Sequence, residues 1–500
     1  MALWLLLLGG ASLVAVSLFQ TIVPAAAWLA PVLLLRAARD AKSGLRAWAS
    51  VALAIAAGNV VALRGGIIPL PWFGMVAIAL LAGALHAVPY LLDRAFAGRL
   101  GGVRGALVFP LAMTAVEYAA FRPSPFGSWG ATAYSQTGNL PLLQLVALTG
   151  VWGICFVVHA LAPALNAAWE ARRRLSIRAL RPLLAFAAML AMVLVAGGVR
   201  LAAGGPSARV PVATVASADG EYDAAFAVPK ARVLATASPA QRQAVAAKLE
   251  SLWPAQLART VAAARAGARL VAWPETTPVL TENLVHWLAE TTKVAREHGV
   301  VIVATPWVVR DADAFPWVDN LVVLEDGGAT VWSYAKAHPV LGIEDAYLRP
   351  GDGTQPVADV SVGRVTGAIC HDLDFPWTAR QAGRSGAGIF VAPSDDWPAI
   401  AEAHLQMAVV RAVENGVTIL RPTHNGTSAV IDPLGRVQAR GTSGRDAAVT
   451  LLAPVSSTPL RTLYPWVGDW FPVAALAGLL ALVMAARRRD AAGPALAAAA

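Results

Sequence analysis

Long unbroken apolar runs fill residues 1–204 and return at 466–486, whereas 205–460 alternates short β-rich stretches with helical ones. A bilayer core is crossed by about 20 apolar residues in helical form. On that measure the pattern predicts spans at about 2–18, 21–35, 47–63, 68–92, 105–121, 142–166, 183–203 and 466–486, about eight in all. The first two are short and separated only by Phe19-Gln20-Thr21, which predicts a tight hairpin. Residues 1–18 lack a basic start and run at once into a second apolar stretch, so they read as a retained helix rather than a cleaved signal. The expected division is a membrane domain over 1–204, a globular α/β domain over 205–460, and a final span with its tail over 461–500.

Composition agrees. The chain is 57% hydrophobic and 14% charged, against about 45–50% and about 25% for soluble domains. That excludes a disordered chain, a collagen-like fibre and an ordinary cytosolic enzyme. The net charge of +9 suggests a polyanionic partner until its placement is read. Arg36, Arg39, Lys42 and Arg46 follow the second span, and Arg94, Arg99 and Arg104 the fourth. Arg172, Arg173, Arg174, Arg178 and Arg181 follow the sixth, and Arg487, Arg488 and Arg489 the eighth. The alternate loops hold no more than Arg64 or Arg122. Basic loops stay in the cytoplasm, so both termini are expected inside and 205–460 outside. The clustered charge then reads as topology, and no nucleic-acid partner is expected. Tyr464, Trp466, Trp470 and Phe471 form an interfacial aromatic belt where the last span begins.

Within the outer domain, strand-like runs at 209–217, 269–273, 300–305, 318–324, 329–334, 362–369, 387–392, 417–421, 427–432 and 447–453 alternate with helical patterns at 240–266, 281–298, 376–384 and 398–414. Such alternation predicts βα units. Three strands end on polar residues: Val-Ala-Trp-Pro-Glu275, Trp-Ser-Tyr-Ala-Lys336 and Val-Thr-Gly-Ala-Ile-Cys370. In α/β sheets ligand sites gather beyond strand ends. The two cysteines are too few for a disulfide framework or a cysteine-rich metal site. Cys155 lies inside the sixth span and reads as a small packed hydrophobe. Cys370 lies outside, with no partner for a disulfide. Taken singly, Glu275 reads as a helix start, Lys336 as a solvated strand end and Cys370 as a buried thiol. Taken together they supply a base, an electrostatic stabiliser and a nucleophile.

That set resembles the nitrilase superfamily, whose pattern is a Glu, then a Lys, then a Cys, each at a strand end. The chain reads Trp273-Pro274-Glu275, Tyr334-Ala335-Lys336-Ala337-His338 and Gly367-Ala368-Ile369-Cys370. The eight-span layout with the α/β domain before the last span resembles the membrane branch of that superfamily, the apolipoprotein N-acyltransferases. Phe126-Gly-Ser-Trp-Gly through Tyr134-Ser-Gln136, Arg411-Ala-Val-Glu414-Asn-Gly416 and Thr423-His-Asn425-Gly426 extend the likeness. The chain departs from it where His371 and Asp372 stand for Tyr-Glu, and where Ser394-Asp395-Asp396-Trp397-Pro398 stands for Asn-Asp-x-Trp-Phe-Gly. A Phe-Gly-Glu stretch is reduced to Gly342-Ile343-Glu344. These departures bear on substrate choice.

The resemblance implies a polytopic all-α membrane bundle carrying an extracytoplasmic α-β-β-α sandwich, in a bacterial inner membrane. It implies ping-pong acyl transfer without cofactor or metal. Glu275 takes the proton of Cys370, and the thiolate attacks a phospholipid ester. Lys336, with the backbone N–H after Cys370, holds the oxyanion, and Glu344 orients Lys336 or assists Glu275. The acceptor is the α-amine of a diacylglyceryl-cysteine lipoprotein. Trp307, Trp317 and Trp397 line an acyl path or serve packing. His338 and His371 flank the set without the spacing of metal ligands. Glu117, inside the fifth span, is costly unless paired and reads as a polar contact within the bundle, lipid head-group binding being the lesser alternative. Two other readings stand beside acyl transfer: a membrane-tethered amidase or other C–N hydrolase, and a catalytically inert scaffold or transporter. The complete Glu275, Lys336 and Cys370 set argues against the latter.

Overall fold

The computed structural model describes the chain except residues 1–2, 66–69, 172–179, 206–207, 219–235, 251, 281–283, 309–320, 328, 347, 445–446 and 498–500. Arg172, Arg173, Arg174, Arg178 and Trp317 thus lie outside the described residues. Two compact units emerge: 1–124, 128–202 and 467–500 form one, and 125–127 with 203–466 form the other.

In the first unit, 6 helices among the described residues are long and apolar enough to cross a membrane: Gly44–Ala62, Trp72–Leu100, Gly102–Phe121, Val151–Glu170, Arg181–Ala203 and Trp470–Arg489. The first two expected spans are the helices Leu3–Ala15 and Pro24–Asp40, 13 and 17 residues long and short of that measure. Between them Phe19 takes a φ of 66°. The sixth expected span, 142–166, begins later than expected. Helices Leu140–Leu143 and Val146–Thr149 precede Val151–Ala171, because Gly150 turns the chain at a φ of 61°.

Glu117, a carboxylate inside this unit, is paired, as lipid demands. Glu117 accepts from Thr132 Oγ1 at 2.6 Å and lies 3.9 Å from His159 Nε2. Cys155 is fully buried on Val151–Ala171. Several of the basic residues expected to set topology also tie helix ends. Arg39 holds Asp93 through Nε and Nη2 at 2.8 and 2.9 Å, Arg36 holds Asp40 and Glu170, and Arg94 donates to the carbonyls of Ala38 and Arg39 at 3.0 and 2.8 Å.

The second unit is built on two six-stranded sheets. Its strands are β1 Arg209–Ala216, β2 Leu270–Leu280, β3 Val301–Val308, β4 Leu321–Asp326, β5 Ala329–Ala335, β6 Val357–Val360, β7 Gly363–Gly367, β8 Ile389–Val391, β9 Ser394–Asp395, β10 Thr418–Arg421, β11 Thr423–His424, β12 Thr427–Ile431, β13 Val437–Thr442 and β14 Val449–Ser456. One sheet runs β14-β1-β2-β3-β4-β5 and the other β13-β12-β10-β8-β7-β6, while β9 and β11 pair alone. β1, β2 and β3 are parallel, and β2 is apolar from Leu270 to Trp273 where it runs beside β1, the mark of strands covered on both faces. Ala213, Val215, Val271, Trp273, Ile302 and Ala304 pack on Leu257, Ala263, Trp287 and Ala295 of helices Trp253–Arg265 and Leu284–His298. Their other side meets the second sheet, β2 against β10 and β1 against β12. Helix Ala401–Asn415 covers β10 and β12, beside helix Pro376–Ser385. The order is helix, sheet, sheet, helix.

Two local expectations change. The helix expected over 240–266 is two, Pro239–Glu250 and Trp253–Arg265, because Pro254 starts a new helix. β2 does not stop at Glu275 but continues to Leu280, with its register shifted on both sides of Glu275. Pro274 has no N–H for the ladder, and the strand bulges around it. Helix Ala401–Asn415 ends on Gly416 at a φ of 66°, where a Cβ would stand 1.7 Å from the Leu460 carbonyl oxygen.

Candidate active site

Each member of the expected set is held by a different element. Glu275 projects from the β2 bulge, Lys336 from the end of β5, Cys370 from the turn after β7, and Glu344 from the turns that follow Lys336. The structure brings them together. Lys336 Nζ donates to Glu275 Oε1 at 2.8 Å and lies 2.6 Å from Glu344 Oε2. Glu275 Oε2 accepts from the Asp395 amide at 3.0 Å, and Glu344 Oε2 from the Val340 amide at 2.8 Å. Lys336 and Glu275 are 1% exposed, so water screens this pair little.

Two carboxyl groups share one ammonium. Burial, with the push of Glu344, raises the Glu275 carboxyl to about 7 against the pull of Lys336. Burial alone would lower Lys336, but Glu275 and Glu344 hold its proton well above the ordinary lysine range. Burial and then Glu275 push the Cys370 thiol well up, and Lys336 draws it back. Cys370 therefore rests as a thiol, with the Glu275 carboxyl among the groups acting on it.

The turn carrying Cys370 is strained. Cys370 takes a φ of 47°, Thr276, beside the β2 bulge, takes 60°, and Asn425, just after β11, takes 53°. The turn is fastened by Asp372, which the sequence marked only as a departure. Asp372 Oδ1 accepts from the His338 amide at 2.9 Å and faces His338 Nδ1 at 2.8 Å. Its Oδ2 accepts from Tyr334 Oη at 2.9 Å and the Ile369 amide at 3.1 Å. One carboxylate thus joins the end of β5 to the nucleophile turn. His338 also stacks on Phe375 with ring centroids 3.8 Å apart.

A second cluster lies against Cys370, and sequence reasoning missed it. Asp396 receives Arg421 Nη2 at 2.7 Å and His404 Nδ1 at 2.8 Å. Asp374 lies 3.3 Å from His404 Nε2 and 2.5 Å from His371 Nδ1. The signal available was Arg421, a charge closing the apolar run Thr418-Ile419-Leu420, which demands a buried counter-ion. Cys370, Asp396 and His404 bring potential ligand atoms within 4.8 Å of one another. They do not suit a metal ion, because the Arg421 guanidinium already sits 2.9 Å from His404 Nδ1 and on Asp396. His338 and His371 are likewise bound to Asp372 and Asp374. Trp307 is buried and Trp397 half-buried. His424, another residue the sequence passed over, meets Thr277 Oγ1 through Nε2 at 2.7 Å.

Known proteins resemble both halves of the chain. Residues 9–164 match the apolipoprotein N-acyltransferase N-terminal domain, and residues 231–458 match the carbon-nitrogen hydrolase family. The apolipoprotein N-acyltransferase of Geobacter metallireducens is 28% identical over 93% of this chain and 91% of its own length. That of Bradyrhizobium diazoefficiens is 28% identical over 72% of this chain and 69% of its own. An amidase from Nesterenkonia sp. aligns with 51% of this chain and 93% of its own at 19% identity and a TM-score of 0.38, a likeness too slight to argue from. With the N-terminal domain and the hydrolase domain in this order, and relatives of one kind along nearly the whole length, the chain is similar from end to end to the apolipoprotein N-acyltransferases.

Proposed function

We propose that the protein moves an acyl chain from a phospholipid, through a thioester on Cys370, to the N-terminal amine of diacylglyceryl-cysteine lipoproteins. The observation that carries this is the buried Lys336 ammonium between Glu275 and Glu344, whose charges act on the Cys370 thiol. Glu275 accepts the thiol proton, and the sulfur attacks the ester carbonyl carbon. The oxyanion is held by an N–H of Lys336 and the amide after Cys370. Collapse breaks the C–O bond, and Glu275 returns the proton to the departing lysophospholipid. The lipoprotein amine then attacks the thioester, Glu275 takes its proton, and cleavage of the C–S bond regenerates the thiol with the new amide. Glu344 keeps Lys336 aimed and charged.

Both substrates are lipid-anchored, which gives the membrane unit its use. The alternating basic loops support eight spans, cytoplasmic termini and an extracytoplasmic catalytic unit in a bacterial inner membrane, and the domain limits 1–204, 205–460 and 461–500 follow from that reading. The test is complementation of a strain depleted of its N-acyltransferase, with mass spectrometry of a lipoprotein N-terminus. The expected result is an acylated α-amine with the wild-type chain and a free one with Cys370→Ala at equal membrane levels. A free amine with the well-expressed wild-type chain overturns the reading in favour of an amidase. Full acylation with Cys370→Ala overturns the nucleophile.

A further inference from the structure

His404 lies on helix Ala401–Asn415 with a carboxylate at each ring nitrogen, Asp396 at 2.8 Å from Nδ1 and Asp374 at 3.3 Å from Nε2. Its side chain is 2% exposed, and those of Asp374 and Asp396 are 1% and 0%. A neutral imidazole has a single N–H and faces one carboxylate well and the other badly. The Arg421 guanidinium also stands 2.9 Å from Nδ1 and works against a second charge there, but the Asp396 oxygen is nearer at 2.8 Å, and two acceptors on two nitrogens call for the imidazolium. Charge balance says the same. Asp374 and Asp396 set two carboxylates against the single guanidinium of Arg421, and His404 touches both acids. Burial disfavours that charge, yet the two acids hold its proton up to about 9.

The sulfur of Cys370 is within 4.8 Å of a carboxylate oxygen of Asp396 and a ring nitrogen of His404. The charges of Glu275, Glu344 and Lys336 act on the same sulfur. Three acids crowd the place where a thiolate must form, and one ammonium does not answer them all. We propose that His404 is a positioning residue for the nucleophile: its buried imidazolium, clasped by Asp374 and Asp396, supplies the positive charge that lets Cys370 become a thiolate among carboxylates. This rests on Cys370 being the nucleophile of the proposed acyl transfer. A charge this close moves the titration of a neighbour by about one to two pH units.

The experiment is alkylation of Cys370 by iodoacetamide, followed by mass spectrometry from pH 5.5 to 10 on the full chain in detergent with Cys155→Ala. His404→Gln removes the positive charge and keeps an amide at the site. Its alkylation midpoint is expected to rise by about one to two units, and its rate at pH 7 to fall about 10- to 100-fold. Asp396→Asn removes a negative charge beside the same sulfur, and its midpoint is expected to fall by a similar amount. A purely structural role loosens the site in both variants and moves both midpoints the same way, or neither, and either result overturns the proposal. Should His404→Gln fail to fold, Asp396→Asn decides alone: a midpoint unmoved or raised is the overturning result. A wild-type chain that alkylates normally but leaves lipoproteins unacylated removes the acyl-transfer reading while the charge argument stands. A Cys370 inert at every pH removes both.

Discussion

Glu275 is where side-chain chemistry is most exposed to test. In the proposed mechanism Glu275 is the base and works in its ionised form, and burial has raised this carboxyl to about 7. Activity should therefore climb with pH through a midpoint near 7 rather than near the ordinary value of 4.5. Glu275→Gln keeps the shape and removes the base; transfer should fall about 10²–10⁴-fold and the ascending limb should vanish from a pH series of kcat/KM. An unchanged limb would assign that titration elsewhere. Two histidines make an opposite pair in stability. His404 keeps its proton to about 9 when folded against 6.5 unfolded, so its contribution is complete below 6.5 and is lost as pH rises through 9. His424, held neutral by burial with a folded value of about 3, contributes above 6.5, and that contribution is lost as pH falls towards 3. Each arm is worth on the order of 3–5 kcal/mol. Thermal melts of the detergent-solubilised chain should peak between the arms; His404→Gln should flatten the alkaline arm and His424→Asn the acid arm. The two kinds of residue were not equally legible. Glu275, Lys336 and Cys370 could be read because each breaks an apolar run with a reactive group. Asp374, Asp396 and His404 could not, because a buried ion pair is defined by its partner, and only folding brings these partners together.

Elements, in turn, aim these groups. The β2 bulge at Pro274 shifts the register around Glu275, and Asp372 locks the Cys370 turn to the end of β5. Losing Asp372 leaves the amides of Ile369 and His338 and the Tyr334 hydroxyl without their acceptor. Asp372→Ala should therefore destabilise the catalytic unit by about 2–4 kcal/mol, and urea melts followed by tryptophan fluorescence would show it. Asp372→Asn retains an acceptor and should cost less. Equal stability of Asp372→Ala and wild type would mean that the turn holds itself. Gly416 is the comparable backbone case. Gly416→Ala forces both a positive φ and a Cβ against the Leu460 carbonyl, and the expected loss exceeds about 1–3 kcal/mol of φ strain alone. Strand positions were legible from apolar alternation. The continuation of β2 past Glu275 was not, because Pro274 looks like a stop and acts as a bulge. The two-residue strands β9 and β11 are too short to carry a period at all.

On the scale of the whole molecule, the sequence speaks through charge asymmetry. Basic clusters follow every second apolar run and are nearly missing from the others. The structure complicates the simplest account, since Arg36 and Arg39 are bonded to Asp40, Asp93 and Glu170. Orientation nevertheless follows from positive residues counted near the spans, with acidic residues contributing little. The pairing thus stabilises helix ends without erasing the signal. Sidedness should then be readable with single cysteines in a Cys155→Ala, Cys370→Ala background. Asp359, at the exposed edge of the second unit, and Arg46, the last residue of the first basic cluster, are both open to reagent. In intact spheroplasts a membrane-impermeant maleimide should label Asp359→Cys, while Arg46→Cys should stay dark until the membrane is permeabilised. The reverse pattern would put the catalytic unit in the cytoplasm, on the wrong side for a lipoprotein acceptor exported before acylation. Labelling of both in intact cells would mean that the basic clusters do not hold their loops inside, and the span assignment built on them would have to be redrawn.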